Sequence, residues 1–286
     1  MSSDMEPNRL KKEILLNLET KEQELLSSWE SDIKNDYKRH FIRLFSTINR
    51  HIPHHFQVKR VSIAENQESN LIVEDWDLSR LIRVWLISLI SKDIGKEAYV
   101  SFIEDLFQYG DMQELIALYS ALPILHYAES WKERCSEGIR NNIEGVQDAV
   151  ALNNKYPFVH LNQNAWNQLI LKSFFTQKDI LKIYRWEDRM DDSLAHAVED
   201  YIYERYAAKR AINPFLWVFV ASRMNEKLLE VLKETFEAYT SELEKLCALF
   251  AIIDLPEDKV DDLFIREKEA IAQPITMESI LKYKNK

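Results

Sequence analysis

The chain has 286 residues, 46% of them hydrophobic and 29% charged, the proportions of a folded soluble chain with a sizeable core rather than a disordered one. Four glycines and seven prolines, against a usual combined share of ~12%, leave too few turn formers for a sheet-rich protein. A net charge of −10 and a pI near 5.3, with no Lys/Arg-rich run, argue against a nucleic-acid partner.

The segment 1–19 carries acidic residues where a signal peptide is basic, and its apolar residues are interrupted. The longest apolar run, 214–221, is far short of the roughly 20 residues that span a bilayer. Cys135 and Cys247 have no metal-like spacing and read as reduced core residues. The expectation is a cytoplasmic protein with no stable membrane insertion.

Taken in order, Ile14, Leu18, Leu25 and Trp29 recur at three-and-four spacing over 8–33, and a second helix is predicted over 36–51. An irregular connection follows at 53–76, and any strands should fall within 58–73. His51, His54 and His55 lie near its start, but no carboxylate or cysteine is spaced to complete a metal site, so none is expected.

The helix predicted over 77–91 is apolar nearly all round, broken only by Arg80 and Arg83, and should lie between layers. Helices at 95–109, ended by Gly110, and at 111–119, capped by Asp111, come next. Three longer patterns follow at 129–152, 162–175 and 191–210. Asn213-Pro214 then opens the apolar run FLWVFVA. Helices at 226–239 and 241–254 form a hairpin whose second member starts with a Ser241/Glu244 capping box, and 257–270 and a tail from 276 complete the chain.

The fold class predicted is all-α, an irregular array of antiparallel helix pairs, HEAT-like towards the C-terminus, with no fixed-period repeat. A single domain over 1–286 is expected, made of N-terminal helices (1–52), the irregular connection (53–76), a central core (77–222) and C-terminal hairpins (225–286).

Each of the three central helices places a polar side chain on the side its periodicity marks as buried. Asn142 lies on the stripe of Trp131, Cys135, Gly138, Ile139, Val146, Ala149 and Val150. Asn167 precedes Ile170, Leu171 and Phe174 by three, four and seven, and Arg205 follows Val198, Tyr201 and Ile202 by seven, four and three. An unpaired buried amide costs roughly 1–3 kcal/mol, and a guanidinium more, so each needs a partner. Two readings stay open: the amides bond nearby backbone while Arg205 pairs with Glu204 or another carboxylate, or all three converge on one small-molecule cavity.

The same stretch, EGIRNNIEGVQDAVALNNKYP, AWNQLILKSFF and LAHAVEDYIYERYAAKR followed by INPFLW, resembles the EboA family of bacterial proteins over about 41–220. The family pattern falls on Arg140, Asn142, Asn154, Tyr156, Pro157, Trp166, Asn167, Gln168, Lys172, Arg189, Glu204, Arg205 and Trp217. Lys155 stands where the family has the first proline of its Asn-Pro-Tyr-Pro link. The resemblance implies a setting rather than a mechanism. Such proteins are encoded beside prenyltransferase-like, sugar-phosphate-cyclase-like and hydrolase-like proteins, in clusters associated with making or exporting a secondary metabolite.

No Gly-rich phosphate loop, HExxH or nucleophile elbow is present, and the stripe His196, Asp200, Tyr203 reads as a solvated face. The favoured reading is a non-catalytic accessory protein that binds partner proteins of the pathway, without a cofactor. The alternatives are binding of the pathway metabolite near Asn142, Trp166, Asn167 and Arg205, with Arg205 and Lys172 as anion contacts, and a cofactor-independent enzyme using Glu204 with Arg205.

Overall fold

A computed structural model describes residues 5–64 and 69–285. Among these the chain is all-α in class, with sixteen α-helices and a single two-stranded sheet. It divides into two compact units, one ending at Trp166 and the other starting at Asn167.

In the first unit an additional break falls at 17–19, between α1 (Met5–Leu16) and α2 (Thr20–His51), while the predicted break near 34–35 is met by a non-helical residue at Asp36. The cause is local. Asn17 N bonds back to Ile14 O, and the Gln23 amide donates to the carbonyls of Leu15 and Leu18, closing the end of α1. At Asp36 (φ −154°, ψ 84°) α2 kinks but continues.

After α3 (His54–Gln57), β1 (Arg60–Ile63) pairs antiparallel with β2 (Val73–Asp77), Val61 standing opposite Trp76. The second strand thus begins at the last residue of the 58–73 window and runs past it. Its last residue, Asp77, accepts from Arg80 N and caps α4 (Leu78–Ser88), a helix buried on nearly every side. Against α4 lies α6 (Met112–Ala121), which follows α5 (Lys96–Tyr109) and opens with an Asp111/Glu114 capping box.

The helix predicted over 129–152 is two helices, α7 (Lys132–Arg140) and α8 (Glu144–Ala151). Asparagine chemistry explains the break: the Asn141 side chain accepts from Ile143 N at 2.8 Å, and the Gln147 amide caps the Asn141 carbonyl, so side chains replace the helical ladder. The apolar stripe survives, since Trp131, Cys135, Ile139, Val146, Ala149 and Val150 are all buried. Then come α9 (Lys155–His160), capped by Asn154, and α10 (Gln163–Phe175).

The second unit is organised around α12 (Phe215–Val220), in which Leu216, Trp217, Val218, Phe219 and Val220 are all buried. It packs on α11 (Asp192–Ala207) and α14 (Glu242–Phe250). Phe174 meets Phe219 edge-on and Trp186 stacks on it at 5.0 Å. The predicted capping box at Ser241 and Glu244 starts α14, which follows α13 (Glu226–Phe236). The unit ends with α15 (Asp262–Ala270) and α16 (Met277–Leu281).

Candidate functional site: a cavity at the end of α11

The end of α11 is a Schellman turn: Arg210 N donates to Arg205 O, and Lys209 N to Tyr206 O. The turn needs a left-handed residue, and Lys209 supplies it at φ 53° where glycine is usual. From there the chain runs back over 211–214 into α12. Arg205 holds this return, its Nε donating to Ala211 O, while its Nη1 donates to Tyr201 Oη at 3.0 Å. The guanidinium carbon sits 5.6 Å from the Tyr201 ring centre.

A cavity of about 660 Å³ lies within this unit, walled by these residues together with Phe174, Tyr239 and the facing carboxylates Glu234 and Glu244. That is a volume suited to a small organic molecule. Tyr206 donates to Glu234, and this bond raises the tyrosine's pKa. The Glu244 carboxylate accepts from the backbone of Ser241 and Thr240, and these bonds hold its pKa below the ordinary value. Tyr239 is buried, which pushes its pKa up to about 12; it donates to Ile212 O and accepts from Trp217 Nε1.

Among the described residues Arg205 Nη2 and Lys209 Nζ have no protein partner. Arg210 lies 3.8 Å from Glu204. That contact corrects the expectation that Glu204 would pair with Arg205, and the cause is the turn, which bends Arg210 back over the last turn of α11. Glu204 is exposed and does not line the cavity.

The other sequence-predicted residues fall elsewhere. Asn142 belongs to the first unit and is exposed, because the break at 141–143 takes it off the helix; its expected burial is corrected accordingly. Asn167 is buried as expected, but its Nδ2 donates to Asp191 Oδ1 and Ser193 Oγ, and it does not line the cavity. Trp166 is buried, Lys172 is half-buried and Gln168 exposed. Asn154 is buried and structural: it caps Tyr156 N and donates to the carbonyls of Tyr119 and Ala149. Tyr156 donates to Ala128 O, Pro157 is buried in the first turn of α9, and exposed Arg140 pairs with Glu133. Arg189 is half-buried, and burial lowers its pKa.

Of the three polar residues singled out by periodicity, then, Arg205 alone lines this cavity. Of the residues missed from sequence, Tyr206, Lys209 and Glu234 sit at edge, turn or exposed positions that helical periodicity assigns to solvent, whereas Tyr239 is buried, three residues past Phe236 on the apolar side of the helix predicted over 226–239.

These features define an all-helical protein with a donor-rich cavity in its C-terminal unit. No helix among the described residues is long and apolar enough to cross a membrane. The chain belongs to the EboA family, described as metabolite traffic protein EboA, whose model matches residues 7–221. The match takes in Arg205 and Trp217 and ends before α13 and α14, which supply the facing wall. No solved structure and no curated protein matches the chain.

Proposed function

We propose that the protein is a non-catalytic component of metabolite traffic that holds a small molecule in the cavity beside Arg205. Of the three readings open from the sequence, this one gains a specific observation: a guanidinium with a donor unclaimed by protein, at a cavity of about 660 Å³. The description of the family fits it. Delivery to partner proteins is then a consequence of traffic, and the accessory reading is retained in that form. The enzyme reading is placed behind the binding one, since Glu204 stands 3.8 Å from Arg210 and outside the cavity lining.

The test is native mass spectrometry of the protein purified from its own host. The expected result is a reproducible small-molecule adduct, absent from a folded Arg205→Leu variant. A bare wild-type chain, or an adduct that Arg205→Leu leaves untouched, overturns the proposal.

A further inference from the structure

We infer that the cavity at the end of α11 selects amphipathic anions, molecules with an apolar, ring-bearing body and one oxyanion head. The inference rests on the binding role proposed above and specifies its ligand. Three observations carry it. First, charge is unevenly committed. Each facing carboxylate already accepts from protein, Glu234 from Tyr206 and Glu244 from two backbone amides at the start of α14. The cations Arg205 and Lys209, by contrast, keep donors that no protein group uses. A site with donors to spare is completed by a ligand rich in acceptors, and an oxyanion meets a guanidinium with the strongest of such bonds.

Second, Lys209 is held at φ 53°, a conformation that costs a side-chain-bearing residue about 1–2 kcal/mol relative to glycine. Basic residues near a helix C-terminus also complement its dipole, but that need is met at any position of the last turn. It does not explain a lysine at the one position where glycine is better. Among the described residues five other non-glycine residues, Arg185 among them, share this conformation, so the strain bears on binding only together with the place of Lys209 in the cavity wall.

Third, the cavity wall that carries these cations also carries aromatic rings. Phe174, Tyr201 and Tyr239 line it, and exposed Phe175 meets Tyr201 edge-on at 4.6 Å. Such faces suit a flat apolar body. The chain as a whole carries −10, so its general field repels anions, and any anion preference must come from this locus.

The experiment pairs two probes with the same rings, 8-anilinonaphthalene-1-sulfonate and the uncharged N-phenyl-1-naphthylamine, and adds a naphthyl trimethylammonium salt. Binding is measured on the full chain and on three variants. Ala238→Trp fills the cavity from an exposed lining position and reports which binding occurs there. Arg205→Gln and Lys209→Gly each remove one cation, the second while relieving the backbone.

The expected result is that the sulfonate binds about tenfold or more tightly than its neutral partner. Ala238→Trp should abolish that binding, and either charge-removing variant should erase the preference while the protein stays folded. If the neutral or cationic probe binds as tightly, and Ala238→Trp still blocks it, the cavity binds molecules but the anion inference falls. If no probe responds to Ala238→Trp, the binding role falls with it.

Discussion

Trp217 Nε1 donates to Tyr239 Oη at 2.7 Å, and the same hydroxyl donates to Ile212 O at 3.0 Å. One buried oxygen thus ties the central helix α12, the return strand of chain at 211–214, and the segment that separates α13 from α14. Trp217 belongs to the family-matched part of the chain and Tyr239 lies beyond it. The bond therefore fixes one wall of the cavity to the other.

Removing that oxygen has a defined consequence. Tyr239→Phe leaves Trp217 Nε1 and Ile212 O buried without this partner, at about 1–3 kcal/mol for each group. Urea unfolding should show a combined loss of about 2–6 kcal/mol. Trp217→Phe, which leaves the Tyr239–Ile212 bond in place, should lose less of the hydrogen-bond contribution but add a packing defect. Tyr239→Phe with wild-type stability would mean the bond is not made.

A second expectation concerns alkaline pH. Burial pushes Tyr99, Tyr119 and Tyr239 from an ordinary 10.0 to about 12, and it also raises the thiols of Cys135 and Cys247. In each case the native state holds its proton more tightly than the unfolded chain. The stabilisation is therefore complete below pH 9 to 10, where both states are protonated, and is lost as pH rises towards 12 and the unfolded chain ionises first. Each tyrosine contributes a slope of up to ~1.4 kcal/mol per pH unit across that window. Melting temperature followed from pH 8 to about pH 12 should hold and then fall steeply, and Tyr99→Phe should make the fall shallower. A flat profile would show that these hydroxyls are not buried in the native state.

The helix pair α7 and α8 offers a contrast between two glycines. A Cβ on Gly138 would come within 2.5 Å of Tyr119 Cε1 and 2.6 Å of Val150 Cγ2, both in the buried interface of the first unit. Gly138→Ala should therefore destabilise by about 1–3 kcal/mol through overpacking. At Gly145 the nearest atom is Ile116 Cδ1 at 2.6 Å, the tip of a half-buried side chain that can turn away. There alanine replaces a glycine in the first turn of α8, a gain of no more than ~1 kcal/mol, so Gly145→Ala should be neutral or stabilising. Equal losses at the two positions in thermal melts would contradict this packing.

What could be read from sequence divides along physical lines. Apolar periodicity reports which side of a helix is dry, and it located α4, α10, α11 and the stripe of α7 and α8 correctly. It does not report where side chains outcompete the backbone. Asn141 broke the helix predicted over 129–152 and moved Asn142 into water, and Gln23 closed α1 at a break the apolar pattern does not show, in addition to the one at Asp36. The capping boxes at Asp111 and Ser241 were legible because their chemistry is local. Arg205 was legible because it departs from its own stripe. Lys209 and Tyr206 were not, since their role depends on the turn after α11 and on α13, which lies some twenty or more residues further along the chain.

Asn167 and Asn142 test how far the amides singled out by periodicity serve structure rather than ligand. Asn167 Nδ2 donates to Asp191 Oδ1 at 3.1 Å and Ser193 Oγ at 2.8 Å, and Asp191 Oδ1 also accepts from Leu194 N to cap α11. The amide thus braces the start of the helix whose far end carries Arg205. Asn167→Ala should cost about 1–3 kcal/mol and, in conditions where the variant is folded, leave anionic-probe affinity at its wild-type value. Asn142→Ala, at an exposed position between two helices, should change stability by no more than about 0.5 kcal/mol. A folded Asn167→Ala protein that loses probe binding would place this amide in contact with the ligand, and would extend the site from the end of α11 to its beginning.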